Sequence, residues 1–195
     1  MYRKLASLLA VVIISSTADV FLGFSDAEAC VALGHPSAKI KLDKKKGAGV
    51  VVISEYNCFS MVPKTQCIAA VRLADIPGAD KIKLQEMRFI NTDDYSIVEG
   101  FDTKRNKATS KAFENFLGGQ WYGFAGMYNA KINKRGGTAM EIKFTYDPTI
   151  KPKTIMDAFN RGHVGIGEGT NTGAIAPKGH HIEVIEIRGA DIVSR

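Results

Sequence analysis

The chain has 195 residues, 45% of them apolar and 24% charged, which excludes wholesale disorder and a collagen-like repeat. Its 26 basic and 20 acidic residues give a formal charge of +6, a balance that favours anionic surfaces or polymers without specifying one. No stretch carries a high-specificity catalytic, cofactor or metal motif, so the residues speak to compartment, fold class and binding character rather than to a reaction.

Met1-Tyr2-Arg3-Lys4 is a short cationic start, and Leu5 to Ile14 is apolar apart from Ser7. That run is short for a bilayer span and suits the core of a signal peptide. Ala27-Glu28-Ala29 supplies small residues before a cleavage point, so residues 1–29 are expected to be removed and the mature chain to begin near Cys30. Glu28 and the missing leucine argue against a lipoprotein box. The remainder, 24 basic against 17 acidic residues, is expected as one β-rich domain over 30–195 in the periplasm or secreted space. There Cys58 and Cys67 can close a small loop around Pro63, worth about 2 to 3 kcal/mol of loop-closure entropy. Cys30 is then free, paired between chains, or the partner of Cys58 instead.

Strands follow in chain order. Val50 to Ile53 is a continuous apolar block of the kind found in strands covered on both faces. From Cys67 to Ile76, Ala69, Val71 and Leu73 alternate against Arg72, and Pro77-Gly78 supplies a turn. Ile82 and Leu84, then Met87 and Phe89, slip by one residue near Gln85-Glu86, as a β-bulge requires. Tyr95 to Phe101 is a further candidate strand. Ser110 is placed to cap a helix with Ala112, Phe113, Phe116 and Leu117 on one face, stopped by Gly118-Gly119. Gln120 to Tyr146 reads as a long hairpin turning at Asn133 to Gly137, with Gly123 and Gly126 allowing sharp coiling. Thr154 then caps a second short helix with Ile155, Met156 and Phe159 inward, before strands at Val164 to Gly167 and His180 to Arg188.

The order over 119–193, strand, strand, helix, strand, strand, resembles the five-stranded OB barrel, with Thr149 to Lys151 as its short third strand. The predicted class is therefore mainly β (α+β), a small β-barrel that is OB-like in the C-terminal half and carries two short helices. A β-sandwich using the strands of 49–101 is the alternative. Among exported OB domains the layout is similar to the haem chaperones of cytochrome c maturation, with Phe159-Asn160-Arg161-Gly162 ending the helix. The histidine and tyrosine which that family carries after its last strand have no counterpart between Arg188 and Arg195, so haem attachment is not implied.

His163, His180 and His181 could meet at one end of a sheet, but adjacent strand residues face opposite ways, so three convergent metal ligands are not expected. Gly165-Ile166-Gly167-Glu168-Gly169 lacks the lysine and helix of a phosphate loop. Asp93-Asp94 reads as a solvated turn. No catalytic residue, metal or cofactor is assigned. The binding candidates are Trp121 with Lys131, Lys134 and Arg135 at the hairpin tip, and Lys104 and Arg105 before the first helix, the mixture by which OB surfaces stack rings and neutralise phosphates. Together these point to an exported, non-enzymatic binding protein that contacts an anionic polymer, an envelope surface or a protein partner through a basic face. A small secreted hydrolase or nuclease with dispersed catalytic residues, and a structural subunit of an envelope assembly, are the alternatives.

Overall fold

A computed structural model describes residues 35–56, 66–91, 104–127, 138–169, 173–174 and 182–193. The leader, Cys30, Cys58, Asp93-Asp94, the predicted strand Tyr95–Phe101, Lys131, Lys134, Arg135, His180 and His181 lie outside them, and Cys67 is described only as backbone. Nine strands and two helices are described: β1 (Ser37–Asp43), β2 (Ala48–Tyr56), β3 (Gln66–Arg72), β4 (Ile82–Asn91), α1 (Lys107–Leu117), β5 (Tyr122–Met127), β6 (Thr138–Tyr146), α2 (Pro152–Phe159), β7 (His163–Gly169), β8 (Ile182–Glu186) and β9 (Ala190–Ile192).

They form two sheets rather than a closed barrel. The first has the order β4-β6-β2-β1-β9 and the second β5-β3-β7-β8. The main core lies between them: Ile40, Val51, Ile53, Met87, Ile142 and Phe144 from the first sheet meet Ala69, Val71, Phe124, Val164 and Ile166 from the second. Helix α2 adds Ile155, Ala158 and Phe159 to this core, with the Phe159 ring tilted against Phe144 at 5.4 Å between centroids. The other face of the second sheet is covered by α1, where Ile68, Ala70 and Ala125 pack with Phe113 and Trp121.

The expected hairpin does not form. β5 pairs with β3 in the second sheet, whereas β6 lies between β2 and β4 in the first. The reason is in their outward faces. β6 presents Glu141, Lys143 and Thr145 away from the core, while β5 presents Gly123 and Ala125 beneath α1. Paired in one sheet, β6 would bring Glu141 and Lys143 next to the surface that α1 covers on β5, where an uncompensated charge is costly to bury. Gly123 and Gly165 thus serve helix approach, not barrel coiling. A Cβ on Gly123 would stand 2.3 Å from the Ser110 nitrogen, and one on Gly165 would stand 2.4 Å from the Phe113 ring.

Other local expectations are revised in the same way. Val51 and Ile53 are fully buried but Val50 and Val52 only partly, because β2 is covered on one face. β3 is the strand buried on both faces, with Ile68 through Val71 at 0% exposure. Asn106, not Ser110, caps α1, its side chain accepting from the Thr109 N–H at 2.9 Å. Ser110 is instead buried inside the helix, accepting from the Gly123 N–H at 2.8 Å. Phe116 and Leu117 are 55% and 43% exposed, since the buried stripe runs through Thr109, Ser110 and Phe113. Thr149 lies in a turn closed by Asp147, which accepts from its N–H at 2.9 Å and its hydroxyl at 2.7 Å, so no third OB strand exists there. α2 begins on Lys151 with Pro152 in its first turn, where the missing N–H costs nothing, and Thr154 is already helical. The bulge in β4 is present, as a register shift between Leu84 and Glu86. Gly118 and Gly119, at φ 73° and 74°, end α1 as the sequence indicates.

Candidate functional site

The outer face of the first sheet is built by alternation. On β1, Ala38 and Ile40 point into the core, so Lys39 and Lys41 point out, about 6.6 Å apart along the strand. Antiparallel register places Lys41 beside Val50, Lys143 and Glu86 in one row, and Lys39 beside Val52, Glu141 and Arg88 in the next. β9 sets Asp191 on the far side of Lys39. The turn after β1 adds Lys44, Lys45 and Lys46, all exposed.

The acids of this face are mostly engaged by other groups. Glu86 accepts from the Lys143 ammonium at 2.8 Å, which holds its carboxyl below the ordinary range. Glu141 accepts from Arg88 Nε at 2.6 Å through an oxygen that Arg88 Nη2 also contacts. Asp43 accepts from the backbone N–H groups of Lys45 and Lys46 at 3.2 and 3.3 Å, and sits 3.7 Å from the Lys46 ammonium. Among the described residues, the side chains of Lys39, Lys41, Lys44, Lys45 and Lys83 make no hydrogen bond or ion pair. A surface concavity of about 780 Å³ runs along this region, lined by Lys41, Lys44, Val50, Lys143, Phe144 and Ile192 among others. The face therefore offers ammonium groups in an ordered array beside a half-buried valine strip.

The residues selected from sequence fall elsewhere. Trp121, expected as an exposed stacking platform, is fully buried. Its ring lies 5.3 Å from Phe113 and its Nε1–H donates to the Gly118 carbonyl at 2.9 Å. An indole is stable in a core when its one polar atom finds such a partner, and α1 supplies it. Lys104 and Arg105 are exposed, but Arg105 is a structural clasp. Its guanidinium donates to the Trp121 carbonyl at 3.2 Å and lies 4.8 Å over the Tyr122 ring. Burial pushes the Tyr122 phenol up, against the opposing pull of Arg105. Lys131, Lys134 and Arg135 belong to the connection between β5 and β6, outside the described residues. The lysines of β1 and its turn are not among the sequence-predicted residues. The alternation of Ala38, Ile40 and Leu42 with Lys39, Lys41 and Asp43, followed by Lys44-Lys45-Lys46-Gly47, is the signal that identifies them.

Among the described residues no three His, Cys, Asp or Glu side chains converge as metal ligands, and no helix is long and apolar enough to cross a membrane. His163 pairs in register with Arg72 on β3 and Glu186 on β8. Burial lowers its pKa, the Arg72 charge lowers it further, and Glu186 pulls the other way.

No protein-family model and no characterised protein sequence matches this chain. Among solved structures, a cohesin module from a Clostridium perfringens family 33 glycoside hydrolase is similar at 9% identity and a TM-score of 0.35, over 82% of this chain and 99% of that one. The collagen-binding subdomain of the Enterococcus faecalis surface protein ACE is similar at 8% identity and 0.31, over 80% and 97%. The collagen adhesin of S. aureus is similar at 7% identity and 0.31, over 80% and 50%. Likenesses of this strength transfer neither a site nor an activity.

Proposed function

We propose that this chain is an exported, non-enzymatic binding protein of the cell envelope or secreted space that engages an anionic partner, polymer, surface or protein, through the outer face of its first sheet. The observation that carries this reading is the set of exposed lysines on β1 and its turn, Lys39, Lys41, Lys44 and Lys45, which among the described residues outnumber the acids left open beside them: Glu86 and Glu141 are held by Lys143 and Arg88, Asp43 by the turn itself, and Asp191 alone faces Lys39. Ammonium groups on a strand keep a fixed spacing, so a partner with repeated negative charge gains from several at once and releases counterions as it docks. The leader expected over residues 1–29 supports export.

Retention on immobilised heparin, read against salt, is the test. The wild-type protein is expected to be retained at low ionic strength, and Lys39→Gln/Lys41→Gln/Lys44→Gln/Lys45→Gln to elute at clearly lower salt. Lys131→Gln/Lys134→Gln/Arg135→Gln, run alongside, measures the basic segment between β5 and β6. Absence of retention at low salt, or an unchanged elution of the quadruple variant, would remove this face from the proposal.

A further inference from the structure

A second cleft, of about 320 Å³, opens where the chain leaving β3 passes the segment between α1 and β5. Arg72, Asp75, Asp80, Gln120 and Tyr122 line it beside Ile76. Its volume is at the small end of the range for ligand pockets, about 300–1,000 Å³.

Arg72 is the last residue of β3 and half-buried. Its guanidinium lies so close to Gly119 that a Cβ there would stand 2.3 Å from Nε. Gly119 has φ 74°, so the backbone at this position calls for glycine. Among the described residues the Arg72 side chain makes no hydrogen bond and no ion pair. A guanidinium carries five N–H donors in a planar fork, and a half-buried one left unanswered matches the two oxygens of a carboxylate. Asp75 and Asp80 are exposed on the same cleft and likewise make no ion pair among the described residues. Tyr122, steadied by Arg105 over its ring, supplies an aromatic flank.

The signs of charge select the ligand. One arginine and two aspartates disfavour a phosphate dianion, and a simple carboxylate answers Arg72 alone. We propose that this cleft binds a small zwitterion of the size of a free amino acid, its carboxylate on the Arg72 guanidinium and its ammonium toward Asp75 and Asp80. This site is separate from the lysine face and does not depend on it.

His163 provides a readout that a structural role for Arg72 would not move. The Arg72 charge depresses the His163 imidazole against the pull of Glu186, so a carboxylate on Arg72 should let that pKa rise. The experiment is an NMR pH titration of the His163 ring resonance, assigned by its loss in His163→Gln, with alanine, acetate and phosphate as probes. Alanine is expected to produce a saturable upward shift, with affinity falling roughly tenfold or more in Arg72→Gln as the charge-assisted pair is lost. Asp75→Asn/Asp80→Asn should weaken alanine without weakening acetate. The proposal is overturned by no saturable response to alanine in the folded wild-type protein, by a response that persists in Arg72→Gln, or by acetate or phosphate binding as tightly as alanine. Dispersion of the methyl resonances in each variant verifies folding.

Discussion

Replacing Gly123 with alanine probes the contact that separates the two sheets. The added Cβ would stand 2.3 Å from the Ser110 nitrogen and 2.7 Å from the Thr109 carbonyl carbon. These are backbone atoms of α1 and cannot rotate away, so the helix itself must shift. Overpacking of this kind costs about 1–3 kcal/mol. The shift also stretches two hydrogen bonds, Gly123 N–H to Ser110 Oγ at 2.8 Å and Asn106 N–H to the Gly123 carbonyl at 2.7 Å, each worth about 0.5–1.5 kcal/mol. The expected loss is about 2–6 kcal/mol, a large part of a domain's usual stability of about 5–15 kcal/mol. Gly118→Ala is the control. Its Cβ would meet nothing within 4 Å, so only its backbone resists it, held at φ 73° and ψ −178° in a region essentially reserved for glycine, at about 1–3 kcal/mol. Urea unfolding followed by the emission of Trp121, the one tryptophan of the chain, measures both. If Gly123→Ala loses no more stability than Gly118→Ala and Trp121 emission in the native state is unmoved, α1 does not close on β5 and the assignment of the outer faces fails.

Further outcomes follow from the same geometry. Trp121→Ala should cost about 3–5 kcal/mol through the cavity beside Phe113, while Trp121→Phe loses chiefly the bond to Gly118, about 1 kcal/mol. Neither should change heparin elution of the folded protein, and a change would return Trp121 to the binding surface. His163 has a folded pKa below the unfolded value of 6.5. Its neutral form therefore contributes stability above that value, and the contribution declines as pH falls through 6.5 toward the folded pKa. Unfolding midpoints of wild type between pH 8 and pH 5 should fall more steeply than those of His163→Gln, and identical slopes would contradict the buried environment assigned to this ring.

Much of this protein is determined by its sequence alone. The strand character of 48–56, 66–72, 82–91 and 138–146, the bulge at Gln85, and the glycine stop of α1 rest on periodicity, β-propensity and left-handed backbone, which act over a few residues. The lysine array was also within reach, since the alternation from Ala38 to Asp43 places Lys39 and Lys41 on one face. What only the tertiary structure decided was pairing and depth. A turn signal at Asn133 to Gly137 reads the same whether the flanking strands share a sheet or belong to two. Only the packing of α1 onto Gly123 and Gly165 takes β5 away from β6 and turns Trp121 from a surface ring into a core ring. The Arg72 cleft depends likewise on Gly119 meeting Arg72 across more than forty residues of chain. No local pattern encodes such a meeting, because it is set by which faces two sheets and a helix bury together.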